Sequence, residues 1–346
     1  MESTRLKILM LTPYSSVQRG NSLTTSRLQH FLSGEDYHID RLSLEDPNWQ
    51  FELSENLSRC NYNLVHGFHA RFMGQALDEV PALSAIPIIL TTTGTDINCD
   101  LYSSYRNVVI NALELSRKIV IFNDDFRLPL QQIRPNWASK LVTIPQGIYL
   151  ETGPKPTRQE IGFRDGDCVF LLPSGLRPIK NIELAIDALH TLHQADPRVR
   201  LLIIGAVLDE HYAAAIRERI HGEDWLKYVG EVVHHDMLGL LDLGDVVLNT
   251  SHSEGQPQAA LEAMSLGKPC ILTAVLGNLN IIKDGQEGYY VRDKNELARA
   301  AHNLLDDPVL RQQMGQNARL LVEHNFSLNQ ELEAYRNLYR QTAAHP

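Results

Sequence analysis

Two glutamates, Glu254 and Glu262, are separated by seven residues in the stretch Ser253-Glu254-Gly255-Gln256-Pro257-Gln258-Ala259-Ala260-Leu261-Glu262-Ala263-Met264. The residues before them, Asp245-Val246-Val247-Leu248-Asn249, form a short β-branched apolar run that reads as a buried strand. Pro257 stands where a helix should begin, because its fixed φ suits a first turn and its missing N–H has no helical partner there. Ala259, Ala260, Leu261, Ala263 and Met264 favour helix, and Gly267 is a natural stop. The layout is therefore strand, polar loop, helix, with one carboxylate in the loop and one on the helix. A helix N-terminus behind a parallel strand offers N–H groups and a positive dipole end to a phosphate or to hydroxyls. The loop carboxylate can accept from vicinal hydroxyls, and the helical one can reach a ribose. Two arbitrary glutamates would more often be solvated surface groups, so the neighbouring sequence has to decide.

A second set of chemical groups lies upstream. Cys168-Val169-Phe170-Leu171-Leu172 reads as a strand, and Ile182, Leu184, Ala185, Ile186, Ala188 and Leu189 mark a helix. Between them Arg177 and Lys180 sit three apart, where a bidentate fork and a mobile point charge could grip a diphosphate. Near the N-terminus, Leu64-Val65-His66-Gly67-Phe68-His69-Ala70-Arg71 reads as a strand end bearing two histidines and an arginine. Ligands of open α/β sheets sit at such ends. Which histidine faces a ligand stays open, with His69 favoured and Arg71 beside it. Asp96 follows the strand Ile86–Thr93 and fits either a turn or a ligand role. Gly20 and Asn21 lie in the loop after the first strand, Arg5–Pro13, with Ser22 as the expected N-cap of the next helix.

Two acidic motifs are set aside. Asp96-x-Asn98-x-Asp100 begins like a calcium loop but lacks the required Gly and terminal Glu. Asp165-Gly166-Asp167 precedes a strand and reads as a turn. No metal site is expected.

Further strands are expected at 37–42, 118–123, 140–145, 199–205 and 268–273, and helices at 209–220, 295–306, 309–324 and 328–342. Residues 43–60 are polar and yield no clear element. Gly153, Pro154 and Pro156 among polar residues mark a linker. Strand–helix alternation on both sides of it implies two doubly wound α/β domains with parallel sheets. The expected bounds are 1–152, 153–325 and a last helical segment, 326–346.

The chain has 346 residues and a formal net charge of −10, which argues against nucleic acid as the main partner. No apolar run approaches the length of a membrane span. Residues 1–60 carry no basic patch, so peripheral membrane contact is disfavoured. Four scattered cysteines without a C-x-x-C fit a reducing, cytoplasmic setting.

The Glu254 stretch resembles the signature of the retaining GT-B glycosyltransferases of family 4, E-G-x-x-x-x-x-L-E-A-M-x-x-G-x-P. Glu254, Gly255, Leu261, Glu262, Ala263, Met264, Gly267 and Pro269 all match it. Gly175-Leu176-Arg177-Pro178-Ile179-Lys180 is a compact version of the family's G-R-L-x-x-E-K-G. Gly277-Asn278-Leu279-Asn280 stands where the family has G-x-P-E. That Gly-Asn pair is similar to two smaller branches, the glycosyltransferase 1 domain-containing protein 1 group and the selenosugar synthases. Thr93 stands where the family often has histidine.

The resemblance implies a GT-B fold, two Rossmann-like domains with an interdomain cleft, and transfer of a hexosyl group from a UDP- or GDP-type sugar to a small or soluble acceptor. It implies catalytic roles for His69, Glu254, Lys180 and Arg177. The donor would meet Gly20, Asn21, Arg177, Lys180, Val229, Gly230, Val232, Glu254, Gly255, Gln256, Pro257, Gln258, Glu262 and Asn278. His66, Arg71 and Asp96 would lie on the acceptor side. No obligatory cofactor is implied beyond the nucleotide-sugar co-substrate. The alternatives are a nucleotide-sugar-binding protein without activity and a transferase using an inorganic acceptor such as selenophosphate.

Overall fold

A computed structural model describes residues 5–15 and 20–344. The chain forms two compact units. One comprises Met1–Gly147 and Leu328–Pro346, the other Ile148–Ser327.

The first unit runs β1 (Leu6–Thr12), α1 (Gly20–Leu32), β2 (Tyr37–Ser43), α2 (Trp49–Arg59), β3 (Leu64–Phe68), α3 (Ala70–Glu79), β4 (Ile88–Thr91), α4 (Thr95–Asn98), α5 (Arg106–Leu115), β5 (Lys118–Ile121), α6 (Arg127–Ile133) and β6 (Leu141–Thr143). Its sheet is parallel, in the order β2-β1-β3-β4-β5-β6. Every residue of β3 is buried, as expected of a strand covered by helices on both faces. The order reverses between β1 and β3, so the loops after those two strands diverge and leave a crevice at their C-terminal ends.

The second unit runs β7 (Cys168–Pro173), α7 (Ile182–Ala195), β8 (Val199–Ile204), α8 (Glu210–Ile220), β9 (Leu226–Tyr228), α9 (His234–Asp242), β10 (Val246–Asn249), α10 (Gln258–Ser265), β11 (Cys270–Thr273), β12 (Gly288–Val291), α11 (Lys294–Asp306) and α12 (Pro308–Asn325). Its parallel sheet has the order β12-β11-β10-β7-β8-β9, and its switch point falls between β7 and β10. Val169, Leu171, Leu202, Val247 and Leu272 pack with Leu261 and Met264 of α10 on one face. Phe170, Leu201 and Leu248 pack with α7 and α11 on the other.

The last helix, α13 (Leu328–Ala343), belongs to the first unit. Leu332, Tyr335, Leu338 and Tyr339 are buried against β1, β3 and β5. The Arg27 guanidinium donates to both oxygens of Glu331, each at 2.9 Å.

Two local expectations need correction. Residues 43–60 contain α2, which buries only Trp49 and Leu53 and so shows little periodicity in sequence. The helix expected to begin behind Ser22 begins at Gly20, and the Ser22 hydroxyl instead donates to the Tyr14 carbonyl at 2.6 Å. Arg19, which shares that loop, lies outside the described residues.

Candidate functional site

The switch point of the second unit brings together what the sequence holds apart. The loop after β7 carries Ser174, Arg177 and Lys180, and the loop after β10 carries Ser251, Ser253 and Glu254. Two bonds latch the loops. Thr250 Oγ1 donates to the Lys180 carbonyl at 3.0 Å, and the His252 N–H donates to the Ile179 carbonyl at 2.8 Å. Asn181 sits in the left-handed region at φ 46° and turns the chain from the Lys180 loop into α7.

Lys180 Nζ lies 2.5 Å from Glu254 Oε1. The same oxygen accepts from Ser251 Oγ at 2.6 Å and from Asn249 Nδ2 at 3.0 Å. Burial pushes the Glu254 carboxyl upward, but the Lys180 charge and the bonds from Lys180, Ser251 and Asn249 outweigh it and hold the group below its ordinary range. The site therefore keeps a buried anion fixed beside a cation. On the same two loops, Ser174 Oγ, Arg177 Nε and Ser253 Oγ are buried donors with no protein acceptor. Such groups are costly to bury unpaired, and they suit phosphate or hydroxyl oxygens.

Gly277 stands at φ 88°, and a Cβ there would lie 2.2 Å from the Glu254 carbonyl. The Glu254 N–H donates to the Leu276 carbonyl at 3.2 Å, so the two loops run against each other at backbone distance. Gly255, Gln256 and Pro257 are buried at the entrance to α10, and Gln256 Nε2 donates to Gln258 Oε1 at 3.0 Å. Glu262 lies on α10, with His234 Nε2 3.9 Å from its carboxylate. His234 stacks on Tyr149 at 6.3 Å. The Val229 N–H is engaged by Ile203, and the Gly230 carbonyl accepts from the Gly205 N–H at 2.8 Å. The Val229 side chain is exposed, while Val232 packs against the core behind α10.

Asn278 departs from its expected role. It is fully buried, and Nδ2 donates to the Thr273 carbonyl, to Thr273 Oγ1 and to Asn249 Oδ1. Its side chain offers a donor ligand no face.

In the first unit the two histidines separate. His66 is fully buried, with Nδ1 2.8 Å from Tyr339 Oη and Nε2 2.7 Å from Thr91 Oγ1. Burial lowers its pKa to about 3. It is a neutral core residue, which corrects its acceptor-side reading. His69 stands at φ 71°, rare for a residue with a side chain, at the junction of β3 and α3. Its Nε2 lies 3.2 Å from Thr95 Oγ1 and 3.9 Å from Asp100, while Nδ1 is buried without a protein partner. Arg71 lies 3.4 Å over the Tyr105 ring and 3.8 Å from Asp100. Burial pushes the Asp100 carboxyl upward despite those two neighbours.

Asp96 is fully buried and accepts from the N–H groups of Ala70, Thr93, Gly94 and Ile97. It clamps the β4 loop to the start of α3, next to His69, and backbone donors occupy its carboxylate. Gly20 is exposed and Asn21 half-buried at the first turn of α1. Asp167 of the rejected acidic motif accepts from the Arg164 N–H and from Arg200 Nε, each at 2.8 Å.

Sequence reasoning missed Asn249, Ser251 and Asp100. Asn249 is a lone amide closing an apolar strand and Ser251 lies three residues before Glu254, which is the signal that could have flagged both. Asp100 was visible only as part of a discarded calcium pattern. Among the described residues no helix is long and apolar enough to cross a membrane.

Two parallel, doubly wound units, one with cationic and anionic loops meeting at its switch point, define a GT-B protein. Solved structures of similar fold include sucrose-phosphate synthase of Thermosynechococcus elongatus, at TM-score 0.84 and 18% identity, covering 99% of this chain and all of that one. HepE of Anabaena, solved with UDP and glucose, gives TM-score 0.81 at 18% identity, covering 97% of this chain and all of that one. HepE has also been solved with UDP-glucose. Residues 155–321 match the model of the family described as glycosyl transferases group 1. Glycosyltransferase 1 domain-containing protein 1 of Xenopus tropicalis is 27% identical over 96% of this chain and 97% of its own. N-acetyl-alpha-D-glucosaminyl L-malate synthase of Bacillus anthracis is 26% identical over 82% of this chain and 75% of its own.

Proposed function

We propose that this chain is a retaining, metal-independent glycosyltransferase that moves a hexosyl group from a nucleotide-diphosphate sugar, of UDP or GDP type, to a small or soluble acceptor. The observation that carries the reading is the Lys180–Glu254 contact at the switch point, with the unpartnered donors of Ser174, Arg177 and Ser253 on the same two loops. Breaking the anomeric C–O bond puts negative charge on the leaving diphosphate. Arg177, Lys180 and the N-terminal turn of α10 would stabilise that charge, and fixed donors of this kind are the main catalytic term in such sites. Glu254 would hold sugar hydroxyls and Glu262 the ribose, with Val229 and Gly230 offering backbone groups to the base. His69 and Arg71 are the acceptor-facing groups of the first unit. Metal independence is supported by two resident cations, Arg177 and Lys180, and by the commitment of Asp167 to Arg200. The UDP complexes of HepE support a UDP-type donor, and the malate named for the Bacillus relative supports a small acceptor.

A thermal-shift panel of UDP, GDP, ADP and their sugars, on wild type and on Lys180→Ala, tests the reading. A ligand present at about 100 times its Kd adds roughly 2.7 kcal/mol, a shift of several degrees. One nucleotide should stand out in the wild type and lose its effect in the variant. A flat panel on folded protein would overturn the donor site.

A further inference from the structure

Glu254 is held by a chain of amides that begins in the loop after the neighbouring strand, β11. Asn278 Nδ2 meets three acceptors, the Thr273 carbonyl at 2.9 Å, Asn249 Oδ1 at 3.1 Å and Thr273 Oγ1 at 3.2 Å. The Thr273 hydroxyl spends its proton on the Ser251 carbonyl at 2.6 Å, so towards Asn278 it acts as an acceptor. A reversed Asn278 amide would set its carbonyl against all three acceptors. Its orientation is therefore fixed, even though Oδ1 is then buried without a partner.

The next link follows from the first. Asn249 Oδ1 receives the Asn278 amide and the Ser251 N–H, the latter at 3.2 Å. Two donors on one atom identify it as the carbonyl oxygen, which leaves Asn249 Nδ2 facing Glu254 Oε1 at 3.0 Å. Without Asn278, Asn249 Oδ1 keeps only the Ser251 N–H, and rotation of the amide would turn a carbonyl towards the carboxylate. Asn278 lies where the family signature G-x-P-E has a different residue, so the contact with Asn249 is not one that signature supplies.

We infer that Asn278 is a positioning residue for sugar recognition: through Asn249 it fixes the carboxylate of Glu254 in the orientation that receives the hydroxyls of the transferred sugar. The inference rests on the donor-site reading above and adds to it. Arg177 and Lys180 serve the diphosphate, whereas Asn278 and Asn249 bear on the sugar-facing carboxylate and touch neither cation. A defect in the chain should therefore appear in nucleotide-sugar affinity and not in nucleotide affinity.

The test compares UDP with UDP-glucose and UDP-N-acetylglucosamine, and GDP with GDP-mannose, by calorimetric titration of the full chain. For whichever sugar the wild type binds, Asn278→Leu should weaken the nucleotide sugar about tenfold, the scale of one lost hydrogen bond to a charged group. It should leave the matching free nucleotide within about twofold. Asn249→Leu should do the same, and the double variant should be no worse than Asn249→Leu alone, because the residues act in series. If Asn278→Leu does not fold, Asn278→Ser and Asn249→Leu carry the same comparison. Equal weakening of nucleotide and nucleotide sugar, or additive losses in the double variant, would overturn the inference while leaving the donor site standing. A wild type that binds none of the probes would overturn the donor site and this inference with it.

Discussion

Lys180 Nζ and Glu254 Oε1 are 2.5 Å apart, although 74 residues separate them in the chain. They meet because β7 and β10 are neighbours at the switch point and both loops leave from the C-terminal ends of those strands. Removing one partner leaves the other charge buried, with side chains only 17% and 10% exposed. Lys180→Met should destabilise the second unit by about 3 kcal/mol, and the double variant Lys180→Met/Glu254→Gln should recover part of that. Urea unfolding of the three proteins measures both effects.

The depressed carboxyl of Glu254 gives a pH signature. A group whose folded pKa lies below its ordinary value of 4.5 contributes stability that is fully present above that value. The contribution is lost as pH falls through the folded pKa. Between about pH 5 and pH 3 the wild type should therefore lose stability faster than Glu254→Gln. Parallel acid-unfolding profiles would show the carboxylate to be energetically idle.

Gly277 predicts a steric effect at the same place. A Cβ would approach the Glu254 carbonyl to 2.2 Å, and the φ of 88° disfavours any side chain. Gly277→Ala should cost more than the roughly 1 kcal/mol typical of a glycine lost at positive φ, and it should displace Glu254. Nucleotide-sugar affinity and melting temperature should fall together. An unchanged melting temperature would mean that the two loops are not in contact.

His66 predicts a slope in the opposite half of the acid range. Its folded pKa, lowered by burial to about 3, lies below the ordinary 6.5. Between those values the unfolded chain binds a proton that the folded one does not, so stability falls as pH falls. From pH 6.5 to pH 5 this one residue should remove about 2 kcal/mol. His66→Leu should flatten that part of the curve while lowering stability at pH 8, since it leaves the hydroxyls of Tyr339 and Thr91 without the ring.

The Glu254 motif and the Lys180 turn were legible because each is local. A β-branched strand, a turn and an alanine-rich helix follow one another in sequence, and periodicity reads such units. The fold was legible for the same reason, as repeated strand–helix alternation. What the sequence could not reveal is mostly side-chain orientation at long range. Nothing around His66 and His69 says which ring turns into the core; the answer lies in Tyr339, 273 residues away. Asp96 looks like a ligand until four backbone donors are seen to converge on it, and Asn278 looks like one until its three acceptors are seen. Polar residues near a strand end divide into those that face a ligand and those that hold their neighbours, and only packing separates the two.

The pair of Arg27 and Glu331 ties α1 to α13 and makes the last prediction. Glu331 has a side chain 1% exposed, and it accepts from Arg27 and from the Gly147 N–H at 3.0 Å. Burial pushes its carboxyl upward, against the pull of Arg27 and of the Gly147 bond. Truncating the arginine leaves a buried, unpaired carboxylate, so Arg27→Met should destabilise the first unit by about 3–5 kcal/mol at neutral pH. The sign with pH is fixed by the raised pKa. A carboxyl raised in the folded state stabilises when protonated, and that contribution is lost as pH rises through its folded pKa. Without Arg27 the carboxyl should titrate higher still, so the deficit of Arg27→Met should shrink as pH is lowered from 7 towards 5. Hydrogen exchange should report the same event locally, with Leu332, Tyr335 and Tyr339 losing protection before β3 does. A deficit independent of pH would mean that the arginine acts through its packing and not through its charge.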